Sequence, residues 1–221
     1  GTYAENVALE NPDGGPFKSI NVIGEDKNTT VIDGGQSGAA FRVQRNPHLL
    51  LKNFTIQNGT GFESAGGAVN LSGATGTSAT AVLENLILIN NPSGGAVWAS
   101  SSDVTIINTS IESNTSNDGG GVFVTNCIKL TLDDVVVKNN TANNSGGGVY
   151  VDNTPVYFSG TVSLTNNHAS VEGGGIAFNS AAANQLLTNL VIDGNTAGTR
   201  GAGVVIANNS FYIKKSTKVN N

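Results

Sequence analysis

The chain has 221 residues and a formal charge of −5; only 12% of its residues are charged and 29 are glycine. With no basic cluster it is not built for nucleic acid or an anionic membrane surface, and it has no run of about 18 apolar residues that would cross a bilayer. A single cysteine, Cys127, excludes an internal disulfide framework and a Cys-based zinc site.

Residues 1–38 precede the clearest periodicity and are assigned to an N-terminal coil. From residue 39 onward one pattern recurs, weakly as "SGAAFRV", then as "GGAVNL", "GGAVWA", "GGGVFV", "GGGVYV", "GGGIAF" and "GAGVVI". The residues that follow the glycines are Phe41, Val69, Val97, Val122, Val149, Ile176 and Val204, spaced by 28, 28, 25, 27, 27 and 28 positions. A near-constant period of this length marks a repeat architecture.

Each period carries three stretches in which apolar residues alternate with polar ones. The first holds pairs such as Val122 and Val124, the second Leu130 and Leu132, the third Val135 and Val137. Strict alternation predicts strands with one buried face. No helical stretch separates them, so a βαβ arrangement has no room for its crossovers.

Two columns of asparagine mark the corners. Asn53, Asn85, Asn108, Asp134 and Asn189 fall between the second and third strands; Asn91, Asn114, Asn140, Asn167, Asn195 and Asn221 follow the third. Stacked amides can bond from coil to coil across about 4.8 Å, and Asn tolerates the left-handed backbone of a sharp corner. The reading is all-β: a right-handed, single-stranded parallel β-helix (solenoid), three short strands per coil, with about eight coils of 25–28 residues. It forms a single domain over 1–221, with repeats over 39–221, within a longer solenoid or filament.

The pairing of "GGAV", "GGGV" and "GGGI" with "LINN", "IESN", "VKNN", "LTNN" and "IDGN" resembles a known repeat. It is similar to the GGA[ILV] and FxxN elements of polymorphic outer-membrane proteins and adhesin-like surface proteins, with Ile, Val or Leu in place of the aromatic. More broadly the chain resembles the pectin-lyase-like superfamily of right-handed parallel β-helices. The resemblance implies the fold; it implies either an enzyme or an inert stalk, since this fold carries both.

The residues offer little for catalysis. There is no GxxxxGK[ST], and glycine triplets that recur in every coil read as tight corners rather than one phosphate loop. The outward column of the first strand is Arg42, Asn70, Trp98, Phe123, Tyr150, Ala177 and Val205, without an acid. Outward acids elsewhere are scattered: Glu112 and Asp193 stand three coils apart on the third strand, around Lys138 and Thr165. On the second, Lys52, Glu84 and Asp133 are isolated. Asp118, Ser145, Glu172 and Arg200 share one loop position, where Glu172 and Arg200 predict a surface ion pair of about 0–1 kcal/mol. His48 and His168 read as loop residues, and no outward column is regularly Thr, as an ice-binding face would require. No catalytic, cofactor-binding or metal residues are assigned.

What remains is surface. Trp98, Phe123 and Tyr150 fall on consecutive coils, as a platform for sugar rings, a contact with another chain, or mutual cross-strand stacking. Of nine N-x-[ST] sequons, Asn28, Asn70, Asn143 and Asn208 lie in loops or face out and are candidate glycosylation sites; Asn53, Asn108 and Asn114 sit in the ladders. Neither end shows a capping helix, which predicts end-to-end self-association or neighbouring segments of the same polypeptide as partners. The expected function is an extracellular or cell-surface structural or adhesive module, a stalk or filament subunit, with a carbohydrate or host-surface partner and no catalysis. The alternative is a carbohydrate-active enzyme or carbohydrate-binding module.

Overall fold

Alternation does produce strands. The computed structural model describes residues 1–10, 19–44, 48–61, 66–73, 79–180, 185–207, 211–214 and 217–220. Within them every strand pairing is parallel and joins equivalent strands of neighbouring coils, with one break, between Val156–Ser159 and Gln185–Leu187, the latter pairing only with Phe211–Ile213. The first sheet has eight strands, from Val7–Glu10 to Val204–Ile206; the second has six, from Ser19–Ile23 to Val156–Ser159; the third has nine, from Thr2–Ala4 to Lys218–Asn220. The eight strands of the first sheet bound seven full turns, close to the expected count of about eight coils. No helix occurs among the described residues, so none is long and apolar enough to cross a membrane.

Register follows the repeat alignment residue for residue. Phe41, Val69, Val97, Val122, Val149, Ile176 and Val204 are Cα partners in one column, which Val7 extends upward. Their side chains point inward, where Leu51, Leu83, Ile106 and Leu132 from the second sheet and Ile56, Leu88, Ile111 and Val137 from the third are fully buried. Each such side chain stabilises the fold by about 1.5–3 kcal/mol through burial alone. Aromatic pairs pack in the core toward its two ends: Phe41 against Phe54 at 5.8 Å, and Phe178 against Phe211 at 4.7 Å.

The two asparagine columns do different work. Asn53, Asn85, Asn108, Asp134 and Asn189 take the left-handed backbone, with φ between 46° and 63°. The Asn85 amide donates to Asn53 Oδ1 at 2.8 Å, and Asn108 to Asn85 at 3.2 Å. In the second column the left-handed residue is the one before, Asn90, Ser113, Asn139, Asn166 or Gly194. Asn91, Asn114, Asn140, Asn167 and Asn195 themselves turn inward and are at most 2% exposed. The carbonyl oxygens of Asn114, Asn140, Asn167 and Asn195 each accept from both the backbone N–H and the side-chain amide of the preceding coil's asparagine, at 2.8–3.1 Å, and that of Asn91 accepts from the Gly59 N–H at 2.9 Å. The amides of Asn114, Asn140, Asn167 and Asn195 also donate to the backbone carbonyls of Leu88, Ile111, Val137 and Leu164. Asn221 lies outside the described residues.

Three elements depart from the expected coil. A fourth sheet follows the buried ladder, built of Thr115–Ser116, Thr141–Ala142, His168–Ala169 and Thr196–Ala197. Its outward column is Thr115, Thr141, His168 and Thr196, threonine at three positions and interrupted by His168. One residue is inserted after the Gly160 corner: Asp133 pairs with Ser159, Gly160 takes the left-handed place of Asp134, and Val136 pairs with Ser163, which leaves Thr161 as the extra residue. Finally, His48 and His168 are not loop residues. Each opens a strand, with its ring Nδ1 against a threonine hydroxyl of the next coil, Thr80 at 2.5 Å and Thr196 at 2.8 Å.

Candidate functional site

The outward side of the first sheet concentrates the surface features. Trp98 pairs with Phe123 and Phe123 with Tyr150, so the three rings occupy consecutive coils. Trp98 and Phe123 lie 6.2 Å apart and 5° from parallel; Phe123 and Tyr150 lie 5.1 Å apart and 3° from parallel. These are offset-stacked separations. The rings therefore spend their facing surfaces on one another and turn edges to solvent, each half-buried. Three outward-facing rings side by side, as a flat sugar platform would need, are not formed.

Glycine seats this stack. A Cβ on Gly119 would lie 2.8 Å from the Phe123 Cβ, one on Gly146 2.7 Å from the Tyr150 Cβ, and one on Gly173 2.6 Å from the Ala177 Cβ. All three have left-handed φ, between 61° and 69°. The first glycine of each triplet thus makes the corner and leaves room for the stripe residue beneath it. The second and third answer another demand, since a Cβ on Gly120 or Gly147 would lie 2.5 Å, and one on Gly121 or Gly148 2.5–2.6 Å, from a carbonyl oxygen in the next coil. Ala177, outward by register, is only 3% exposed, and there the stripe ends.

Carboxylates border the stack on both sides. On the loop side Asp118 Oδ1 accepts from the Ser145 N–H at 3.0 Å and Oδ2 from the Asn144 amide at 3.4 Å. The next coils place Glu172 beside Arg200, which pair as expected, with the Arg200 side chain 71% exposed. On the far side Asp152, two residues past Tyr150, accepts from the Thr125 hydroxyl at 3.0 Å and the Asn179 amide at 3.1 Å. Burial first, then the nearby Asp118, Asp152 and Glu172, raises the Tyr150 phenol above its ordinary value. Sequence reasoning missed Asp152 and Asn179. Asn179 is the extra residue of a bulge between the paired Val151–Phe178 and Asp152–Ser180, which alternation alone does not reveal.

At its N-terminal end the face opens into a polar groove of about 550 Å³, whose lining includes Asn6, Gln36, Ser37, Arg42, Thr60 and Asn70. Asn6 holds the wall by donating to the carbonyls of Gly34, Gly38 and Ala39 at 3.1–3.2 Å, and Arg42 pairs with Glu10 at 2.6 Å.

The remaining acids are dispersed, and several are paired with a cation or held by neutral donors. Glu112 pairs with Lys138 at 3.1 Å and Asp103 with Lys129 at 3.5 Å. Lys52 and Glu84 are not isolated: they are register partners and pair at 2.7 Å, with Ile107 separating Glu84 from Asp133. Asp33 accepts from Gln57, Gly35 and Asn58, which holds its carboxyl below the ordinary range. No group of three His, Cys, Asp or Glu able to hold a metal occurs among the described residues.

Of the candidate glycosylation sites, Asn28 is exposed and bonded to Asp26, Asn143 is exposed and donates to Asn117 at 3.2 Å, and Asn70 is half-buried at the edge of the groove. Asn208 lies outside the described residues. Cys127 is 5% exposed and free, and burial pushes its thiol upward.

A family model described as a right handed beta helix region matches residues 18–190 and, overlapping, 74–221. No curated protein and no solved structure matches the chain.

Proposed function

The chain belongs to the right-handed β-helix family, and from that premise we propose that it is a structural and adhesive module of an extracellular or cell-surface rod, a stalk or filament subunit without catalytic activity. One observation carries the reading: an unbroken, half-exposed aromatic stack on the flat outward face of a rigid solenoid. Exposed patches of that kind mark contacts. The paired GGA[ILV]-like and xxxN elements support it through their resemblance to polymorphic outer-membrane proteins and adhesin-like surface repeats of the pectin-lyase-like superfamily. So does the dispersal of the acids, those of the outward face being tied to neutral donors or cations rather than to a second carboxylate.

A second reading, a carbohydrate-binding module or polysaccharide-degrading enzyme, draws support from the amide-lined groove beside Asn70 and Arg42. One experiment separates them. The purified protein is assayed for retention on cell surfaces and insoluble polysaccharides beside a Trp98→Ala/Phe123→Ala/Tyr150→Ala variant. Retention that the variant loses, while keeping its melting temperature within a few degrees, is the expected result. Equal retention by the variant overturns the contact face. Release of reducing ends or unsaturated sugars by the unaltered protein overturns the non-catalytic assignment.

A further inference from the structure

The charges around the stripe say more than the stripe alone. The ion pairs of the described residues use Glu10, Glu84, Asp103, Glu112 and Glu172. Asp118 and Asp152 are held instead by neutral donors: backbone N–H, hydroxyl and amide. Such bonds fix a carboxylate in place without cancelling its charge. One stands at the loop end of the Phe123 strand, the other past the end of the stacked ring of Tyr150. The cations of this face are committed elsewhere, Arg42 to Glu10 and Arg200 to Glu172. The centre of the face is therefore an aromatic ridge between two fixed negative charges, on a chain whose formal charge is −5.

We propose that this face docks an extended, lysine- or arginine-bearing segment of a partner protein. Its methylene stems lie along the ring edges and its cationic heads reach Asp118 and Asp152. Long cationic side chains suit such a surface, because they bury the stem on apolar carbon and leave the head in water beside a carboxylate. The ring geometry weighs against a sugar lying along the ridge, since sugars stack on faces and the faces between the three rings are occupied by each other. Charge complementarity also sets the kinetics: binding is faster at low salt and weakens as salt screens the pair. The inference rests on the stripe being a contact face.

Trp98 is the sole tryptophan of the chain, so its emission reports directly on the ridge. A synthetic peptide alternating lysine and alanine is titrated against the protein at low and at high salt, with a glutamate–alanine peptide as control. A saturable emission change with the lysine peptide alone, weaker at high salt, is expected. Asp118→Asn/Asp152→Asn keeps the shape and one accepting oxygen of each side chain, and with its melting temperature checked against the parent it is expected to lose about tenfold in affinity, the worth of two exposed ion pairs. A charge-matched pair on other faces, Glu25→Gln/Asp193→Asn, is expected to lose little. Equal losses in both pairs, or none in the first, overturn the proposal. So does an emission change with a neutral oligosaccharide while the lysine peptide is inert; the contact-face reading then survives, because it falls only if the alanine triple variant keeps its surface retention.

Discussion

Asn140 is wholly buried, yet all of its amide's bonding capacity is used. Its oxygen accepts twice from Asn114, and its nitrogen donates to Asn167 Oδ1 and the Ile111 carbonyl, all at 2.9–3.0 Å. Removing it strands donors above and an acceptor below in a dry interior. Asn140→Ala is therefore expected to cost about 3 kcal/mol, the sum of more than one unsatisfied buried group, read as a shift in the urea midpoint at unchanged slope. Asn140→Asp keeps the accepting oxygens but turns the donor nitrogen into an anion facing two acceptors, so it is expected to be no better than alanine. A variant with wild-type stability would show that the ladder is decorative. Ser116 gives the opposite case. Its hydroxyl is buried without a partner, and its register partner Ala142, with Ala169 next in the column, is a fully buried alanine. Ser116→Ala removes an orphan and is expected to stabilise by about 1 kcal/mol, visible as a raised melting temperature.

At the scale of the element, the glycine corner is the part most sensitive to a single methyl. Gly146 has φ of 69° and no space for a Cβ against Tyr150; Gly147 is not left-handed, but its Cβ would meet the Gly174 and His168 carbonyls at 2.5 Å. Gly146→Ala is expected to cost about 2–3 kcal/mol from backbone strain and overlap together. Gly147→Ala is expected to cost at least as much, because relieving it means separating two coils. Thermal melts of the two variants check the ranking; only Gly146→Ala should also alter Trp98 emission, by displacing the stack it seats. Much of the strand layout was legible in the sequence, since the anchors, the alternation and both asparagine columns are periodic and the register obeys that period. The short fourth sheet was not, because two-residue strands such as Thr141–Ala142 are too brief to alternate. Thr161 and Asn179 are likewise single insertions, invisible without the neighbouring coil to count against. At the site, the column Trp98–Phe123–Tyr150 was legible, whereas ring orientation was not: period two fixes the side from which a side chain leaves, not its χ angles.

Across the whole molecule each coil touches only its neighbours, so stability is a sum of coil and interface terms rather than a property of one central core. Cys127 and Trp98 lie on adjacent coils in the middle of the rod, one buried in the core and one on its surface. Two consequences follow for the thiol. In the native state it is both covered and driven toward the protonated form by burial, so an aromatic disulfide reagent is expected to leave it unmodified at neutral pH. In a denaturant series its modification should track the change in Trp98 emission, because the coils that shield it are the coils that hold the stack. Earlier thiol exposure would mean that the corner at Cys127 opens by itself. The raised thiol also sets a sign for pH. A folded-state pKa above the unfolded one leaves stability intact below the ordinary value of 9.0 and erodes it as pH climbs past that value toward the folded one. Cys127→Ala removes that group, so the loss of melting temperature between pH 8 and pH 10 is expected to be smaller in the variant than in the parent; equal losses would place the alkaline sensitivity elsewhere, with the buried face of Tyr150 next in line.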